Sequence, residues 1–325
     1  MGCVDSFNRS ISYLRVSVTD RCNLRCVYCM PPEGVPWVPH ENILRYEEIV
    51  RVVRVAAQMG ITKVRLTGGE PLVRAGIVSL VEMIAAIPGV DDLAMTTNGV
   101  LLTPYAAELA KAGLHRVNVS LDTLRPERFR AITRLGNLED VEQGLVAARL
   151  AGLEPVKVNT VLIRGVNDDE IVDFARRTLR EPFHVRFIEE MPVGAATEVR
   201  FLPVADARER IEAAFGPLVV AYQRVGNGPA SYYRIPGALG TIGFISAVSE
   251  HFCHACNRLR LTADGRLRPC LLSDTEIPLR EALRSGADDE ELRRIILSAV
   301  AAKPDGHHLN EGISISGRGM SQIGG

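Results

Sequence analysis

Cys22-Asn23-Leu24-Arg25-Cys26-Val27-Tyr28-Cys29 sets three cysteines inside eight residues, directly behind the β-prone run Leu14–Thr19. Three thiolates so close in the chain can grip a metal centre without help from the rest of the fold. Their number is informative. A structural zinc ion takes four protein ligands, and a fully protein-ligated 4Fe–4S cluster takes four thiolates. A three-cysteine loop leaves one metal corner open, and an open corner is where a substrate or cofactor binds. The plain alternatives are a zinc loop completed by a distant histidine such as His40, or chance clustering.

The chain has 325 residues, seven cysteines and a formal net charge of −1. That length suffices for one large or two ordinary domains with ample core. Near-neutral charge argues against wholesale binding to nucleic acid or to an anionic membrane, so any positive site is local. No apolar run approaches the roughly 20 residues needed to span a bilayer, and no signal peptide precedes the first strand. The start Met1-Gly2-Cys3-Val4-Asp5-Ser6 fits the loose myristoylation pattern, but so short a match carries no weight alone. Cysteines without secretion signals read as metal ligands in a reducing cytoplasm. They fall as two triplets, Cys22/Cys26/Cys29 and Cys253/Cys256/Cys270, with Cys3 left over.

From Arg15 to about residue 191, β-rich and helical runs alternate. The expected strands are Leu14–Thr19, Lys63–Gly69, Asp92–Asn98, Arg116–Asp122, Pro155–Ile163 and Phe183–Met191. Helical periodicity covers Glu47–Met59, Ala75–Ala86, Pro104–Lys111, Leu138–Leu150 and Asp169–Leu179, and glycines 60, 89, 113 and 152 mark stops. Strict βα alternation means parallel strands with right-handed crossovers, here six units, two short of a full barrel. An antiparallel sheet with one wet face is the alternative, and the intervening helices argue against it.

Side-chain alternation inside the strands locates the function. Parallel strands covered on both faces read as continuous apolar runs. These do not: Arg15, Ser17 and Thr19 alternate with valines, as do Arg65 and Thr67, Asn118, Ser120 and Asp122, Lys157 and Asn159, and Arg186. The apolar set faces the helices, which turns the polar set inward. Unpaired arginines in a dry interior cost several kcal/mol each, so the barrel is expected to be open and to hold an anion. Loops at the carboxyl ends of the strands should carry the chemistry. After Gly194 the pattern changes to short strands and Gly/Pro-rich loops, giving two expected domains, 1–195 and 196–325.

The second triplet is Cys253-His254-Ala255-Cys256 with Cys270, where a zinc ribbon using His251 or His254 is the alternative. Arg258 and Arg260 follow, alternating with Leu259 and Leu261. The tail 312–325 has the composition of a flexible end, although its terminal Gly324-Gly325 would let a backbone enter a site too crowded for side chains.

The C-x₃-C-x₂-C spacing, with an aromatic before the last cysteine, resembles the radical S-adenosylmethionine (SAM) enzymes. Gly68-Gly69-Glu70-Pro71 resembles their glycine-rich segment. With both triplets in view, the chain resembles end to end the molybdenum-cofactor biosynthesis protein A family of GTP 3′,8-cyclases. Leu14–Cys22, Arg65–Leu72, Thr96–Gly99, Asn118–Asp122, Gly165–Glu170, Arg186–Glu189, Phe252–Arg260, Cys270 and the terminal Gly-Gly carry the likeness. The tail before Ile323 is less family-like, which leaves its placement open.

The resemblance implies an α/β fold, an incomplete (βα)₆ barrel whose open side is closed by a C-terminal α+β domain. It implies two 4Fe–4S clusters, on Cys22, Cys26 and Cys29 and on Cys253, Cys256 and Cys270. By the same resemblance Tyr28, Gly69, Ser120 and Met191 line SAM. Arg15, Arg65, Thr96, Lys157, Arg258, Leu259 and Arg260 are expected to contact GTP; alternation alone finds Arg15, Arg65 and Lys157 as well and adds Arg186 to the expected substrate contacts. The implied reaction is that of a radical SAM lyase. A 5′-deoxyadenosyl radical takes hydrogen from ribose C3′, and C3′ joins guanine C8 to give 3′,8-cyclo-7,8-dihydroguanosine triphosphate, the first step of molybdenum-cofactor formation. Implied partners are an external electron donor and a downstream cyclic pyranopterin monophosphate synthase, with a homodimer compatible. Two rivals remain: a radical SAM enzyme acting on a peptide, and a zinc-bound structural protein.

Overall fold

The computed structural model describes residues 3–193, 200–221, 228–307 and 318–324. Gly194, tail residues 312–317 and Gly325 lie outside the described residues. Six strands form first: β1 Tyr13–Ser17, β2 Lys63–Thr67, β3 Asp92–Thr97, β4 Arg116–Ser120, β5 Lys157–Leu162 and β6 His184–Glu189. Neighbours in this series pair in parallel, in chain order. Between them run helices α1 Tyr46–Gln58, α2 Ile77–Ala85, α3 Leu102–Lys111, α4 Pro126–Thr133, α5 Leu138–Leu150 and α6 Ile171–Arg180. The sequence reading omits α4, a short polar helix opening on Pro126.

The remaining chain supplies α7 Val204–Phe215, β7 Val219–Val220, β8 Ser231–Arg234, β9 Thr241–Ile245, β10 Arg258–Leu261, β11 Arg266–Arg268, β12 Ile277–Pro278, α8 Arg280–Arg284, α9 Asp289–Ala301 and α10 Met320–Ile323. Its strands do not form a separate layer. β10 pairs in parallel with β1, and β9 pairs in parallel with β6, so both edges of the six-stranded unit are extended. Antiparallel β11–β12 and β8–β7 continue outward to give a 12-stranded sheet. Among the described residues no ladder joins its two outer edges, so the sheet is open in its hydrogen bonding.

Valine, leucine and isoleucine at alternate strand positions meet the apolar faces of the helices in one continuous core. Val16, Leu66, Val117, Val119 and Phe187 are its inner row, each with no more than a trace of exposure. That row fixes the register, because a one-residue slip would send the arginines into the helices. No described helix is long and apolar enough to cross a membrane.

The β6–β9 seam depends on aromatics. Phe187 stacks on Phe244 at 6.1 Å between centroids and meets Phe174 edge-on at 6.4 Å. Phe187→Ala should therefore destabilise the chain by roughly 3–5 kcal/mol through lost burial and a cavity. Urea unfolding measures it, and a loss under about 1 kcal/mol, the range of ordinary substitutions, would show that the seam does not depend on this ring.

Candidate active site

The first cysteine loop follows β1 and is held by two neighbours. Gly69 donates its N–H to Thr19 O at 2.7 Å and Glu70 to Arg21 O at 2.8 Å. A β-carbon on Gly69 would sit 2.3 Å from Arg21 O, so only glycine permits this approach. On the other side Arg25 and Val27 donate backbone N–H groups to Thr133 O and Ile132 O at the end of α4. Arg134, just beyond α4, adds contacts from Nη1 to Arg25 O and Met30 O.

Burial dominates the chemistry of these thiols. It pushes Cys22 up to about 11 and Cys29 up to about 12, and raises Cys26 well above its ordinary value, with neighbouring thiolates adding to the effect. A cation at the open side is what would hold all three as thiolates. Acidic groups ring the loop: burial raises Asp122 to about 6 and Glu70 to about 7. Tyr28 donates its hydroxyl to Asp122 Oδ2 at 2.6 Å, and Glu70 accepts from Thr97 Oγ1 and from Asn98 N, both at 2.7 Å. Ser120 ends β4, and Met191 lies just past β6 against Val193 and Ile323.

Cys253 and Cys256 flank a single 3₁₀ turn before β10, and the antiparallel β10–β11 pair returns the chain to Cys270. All three line one cavity with Arg258, Arg260 and Met191. The sulfur spacing discriminates between metals. Tetrahedral zinc at about 2.3 Å from each sulfur needs sulfurs roughly 3.8 Å apart. Neither triplet brings its three sulfurs within 4.8 Å of one another; among the described residues only His251, Cys253 and His307 form a group that tight. The three sulfurs of neither set are therefore close enough to share one zinc ion, whereas Cys253 does group tightly with His307 and with His251, the histidine considered for a zinc ribbon. His40, the fourth ligand considered for the first loop, belongs to no such group.

Between the triplets the inward-facing polar residues form slanted rows. Arg15 is in register with Arg65 on β2 and with Arg260 on β10. Thr96 pairs with Asn118, Asn118 with Lys157, and Asn159 with Arg186. Lys157, Arg186, Arg65 and Arg260 are all buried, with relative exposures of 1%, 3%, 6% and 7%. Burial and mutual repulsion push Lys157 down to about 6, Arg65 and Arg260 down to about 10, and Arg15 well below its ordinary value. The Nε atoms of Arg65 and Arg186 have no hydrogen-bond partner among the described residues. Leu259 differs: its side chain lies in the apolar core, so only its backbone is available to a ligand.

The tail enters this space. Arg260 Nη1 donates to Gly324 O at 2.6 Å. Gly324 has φ 71°, and a β-carbon there would lie 2.6 Å from Thr67 Oγ1. Composition suggests a loose end; the buried Ile323 and the Arg318 ion pairs to Asp264 and Glu276 fix residues 318–324 instead. Sequence reading also passes over Arg116, although it shares the parity of Asn118 and Ser120. Lys303, a lone lysine in Ala302-Lys303-Pro304, carries no sequence signal at all.

Residues 16–178 match the Radical SAM superfamily, and residues 183–309 match Molybdenum Cofactor Synthesis C. The chain resembles SuiB of Streptococcus suis bound to S-adenosylmethionine, with a TM-score of 0.61, 16% identity, and coverage of 89% of this chain and 68% of that one. It also resembles anSMEcpe with bound AdoMet, with a TM-score of 0.59, 16% identity, and coverage of 90% and 81%. At such identity these likenesses speak for the fold alone; the class, a radical SAM protein, is set by the match over residues 16–178. Much nearer in sequence are the GTP 3′,8-cyclases of Pelotomaculum thermopropionicum, 57% identical over 99% of both chains, and Heliobacterium modesticaldum, 56% identical over 99% of this chain and 100% of that one. The chain belongs to the GTP 3′,8-cyclase family, and it is an enzyme.

Lys157 gives this lumen a measurable signature. With its amine pushed down to about 6, the ligand-free chain holds it mostly neutral near pH 8. A triphosphate favours the ammonium form and raises that value, so binding takes up protons and weakens as pH rises. Calorimetry of GTP binding at about pH 8, in two buffers of different ionisation enthalpy, should show uptake that Lys157→Met loses. Equal proton uptake in both proteins would exclude Lys157 from the phosphate contacts.

Proposed function

We propose that this chain cyclises GTP to 3′,8-cyclo-7,8-dihydroguanosine triphosphate, the first step of molybdopterin formation. The observation that carries the reading is a row of buried arginines and a lysine on the inward strand positions, two of those arginines sharing a cavity with Cys253, Cys256 and Cys270. Membership of the GTP 3′,8-cyclase family supports the same substrate.

In this reading Cys22, Cys26 and Cys29 hold one 4Fe–4S cluster, and Cys253, Cys256 and Cys270 hold a second. Neither triplet's three sulfurs are close enough to share one zinc ion, although Cys253 also groups with His251 and His307. When bound, the reduced first cluster and SAM supply the 5′-deoxyadenosyl radical that removes hydrogen from ribose C3′. Tyr28, Gly69, Ser120 and Met191 are assigned to SAM. Asp122 orients the Tyr28 ring by accepting its hydroxyl, and the Gly68-Gly69 backbone sets the depth of the loop.

Arg15, Arg65, Lys157, Arg186, Arg258 and Arg260 are assigned to the triphosphate, with Thr96 and the Leu259 backbone beside them. Guanidinium forks match phosphate oxygens bidentately, and a water-poor lumen strengthens each contact. Several such contacts fix the ribose while the guanine reaches toward the second triplet. Burial of the lumen also keeps foreign C–H donors away from a primary alkyl radical.

The finer architecture belongs to the same proposal. Residues 1–195 form the partial barrel, and 196–325 close its open side through strands at both edges and the inserted tail. An external donor supplies electrons, a cyclic pyranopterin monophosphate synthase takes the product, and the work is cytoplasmic.

Anaerobic turnover with SAM, reductant and single nucleotides tests the reading: 5′-deoxyadenosine should accumulate with GTP, and no nucleotide product would overturn it. Cys22→Ser, Cys26→Ser and Cys29→Ser should each abolish SAM cleavage while iron remains at the second triplet. Retained cleavage in any of them would overturn the ligand assignment. Arg258→Ala or Arg260→Ala removes a charge-assisted phosphate contact worth roughly 1.5–3 kcal/mol, or about ten- to a hundredfold in GTP affinity. SAM affinity should hold, and wild-type GTP affinity in both variants would return these arginines to a structural role.

A further inference from the structure

The two triplets differ in what touches their sulfurs. Donors to the first triplet's sulfurs are neutral: the Leu24 N–H and the Asn98 amide on Cys22 and the Ser321 N–H on Cys29. Its charged neighbours are mixed, Glu70 and Asp122 being acidic and Arg25 a cation, and none of them donates to a sulfur. At the second triplet the chain instead buries a lysine. Lys303 is 4% exposed and follows α9.

An ammonium group has three N–H donors and no acceptor. Lys303 Nζ meets three acceptors. It donates to Arg258 O at 2.9 Å, to Pro269 O at 2.8 Å, and to the sulfur of Cys256. The first carbonyl lies two residues past Cys256 and the second immediately before Cys270. One cation therefore ties together both chain segments that present these cysteines and places its charge against a ligand sulfur. The backbone around it is fastened independently: Arg9, itself ion-paired to Asp5, donates to Pro304 O, Asp305 O and Cys253 O.

A brace alone would need no charge. A neutral side chain of similar length would fill the space, and a buried ammonium is costly unless something negative compensates it. Three thiolates and a reducible cluster supply that negative charge, and the added electron of the reduced state supplies more. Hydrogen bonds to ligand sulfur and nearby positive charge make a cluster easier to reduce.

On the reading that Cys253, Cys256 and Cys270 hold a cluster, we propose that Lys303 sets its reduction potential, holding it above that of the SAM-side cluster. Lys303 is a positioning and tuning residue and does not touch the reacting atoms. Its consequence is a division of labour: the first cluster, whose sulfurs receive no charged donor, stays strongly reducing, and the lysine keeps the other out of competition for SAM.

The test is a mediator-poised titration of the full chain carrying both clusters, followed by electron paramagnetic resonance. The second cluster is identified by the signal that persists in a Cys22/Cys26/Cys29→Ala chain. Lys303→Met and Lys303→Gln should keep iron and sulfide yet lower that midpoint by at least a tenfold change in the one-electron reduction constant, about 59 mV. Lys303→Arg, which keeps the charge, should stay near the wild-type midpoint. An unchanged midpoint in either neutral variant overturns the proposal. Loss of the second cluster from both neutral variants also overturns it and leaves Lys303 a brace. Iron and sulfide analysis of the wild type separates the underlying reading: a chain with only one cluster defeats that reading first, before any substitution is made.

Discussion

Uncompensated positive charge in a nearly dry lumen is the constraint on which the remaining architecture turns. Arg65, Arg186 and Arg260 have no carboxylate partner among the described residues, whereas Arg116, on the same inward face, is paired to Asp92. Removing a guanidinium from water without a partner is strongly unfavourable. A sheet that carries such residues in register cannot collapse on itself, because collapse would drive like charges together. The open arrangement of β10-β1-β2-β3-β4-β5-β6-β9 follows from that repulsion as much as from strand twist.

The apolar face of the same strands offsets this cost. Every inward cation has valine, leucine or phenylalanine as its chain neighbour, and those neighbours pack against α1 to α6 in one core. β10 does this twice over: Leu259 and Leu261 anchor it to the core while Arg258 and Arg260 face the cavity, and Cys256 stands at its start. A single four-residue strand therefore links the second cysteine loop to the wall of inward cations. The tail completes the enclosure with backbone alone, because at Gly324 neither the positive φ nor the gap beside Thr67 admits a side chain.

Much of this was legible in the sequence because the information is local. Period-two alternation gives the inward residues of β1, β2, β4 and β5, and cysteine spacing singles out the two loops that the fold places after β1 and before β10. The helix α5 is read at Leu138–Leu150 and found there, since amphipathic period and length agree. What was not legible is non-local. That β10 pairs with β1 and β9 with β6 depends on backbone groups that every residue type carries, and no residue in Thr241–Ile245 announces a partner in His184–Glu189. The two-residue strands β7 and β12 are too short to show a period. Of the tail, the glycine signal is legible and Gly324 does enter the crowded site, but composition reads as a loose end while the placement of residues 318–324 rests on one isoleucine and one arginine. Lys303 escaped for a related reason: its role comes from where three distant acceptors converge.

Replacing the lumen cations with leucine or methionine would remove a desolvation penalty, and buried charges exchanged for well-packed apolar groups commonly leave a fold as stable or more so. The ligand-free fold is thus less stable than its own scaffold permits, and the deficit lies in the row of inward cations. An anion that neutralises this row binds the folded chain and not the unfolded one, so it stabilises the fold by mass action.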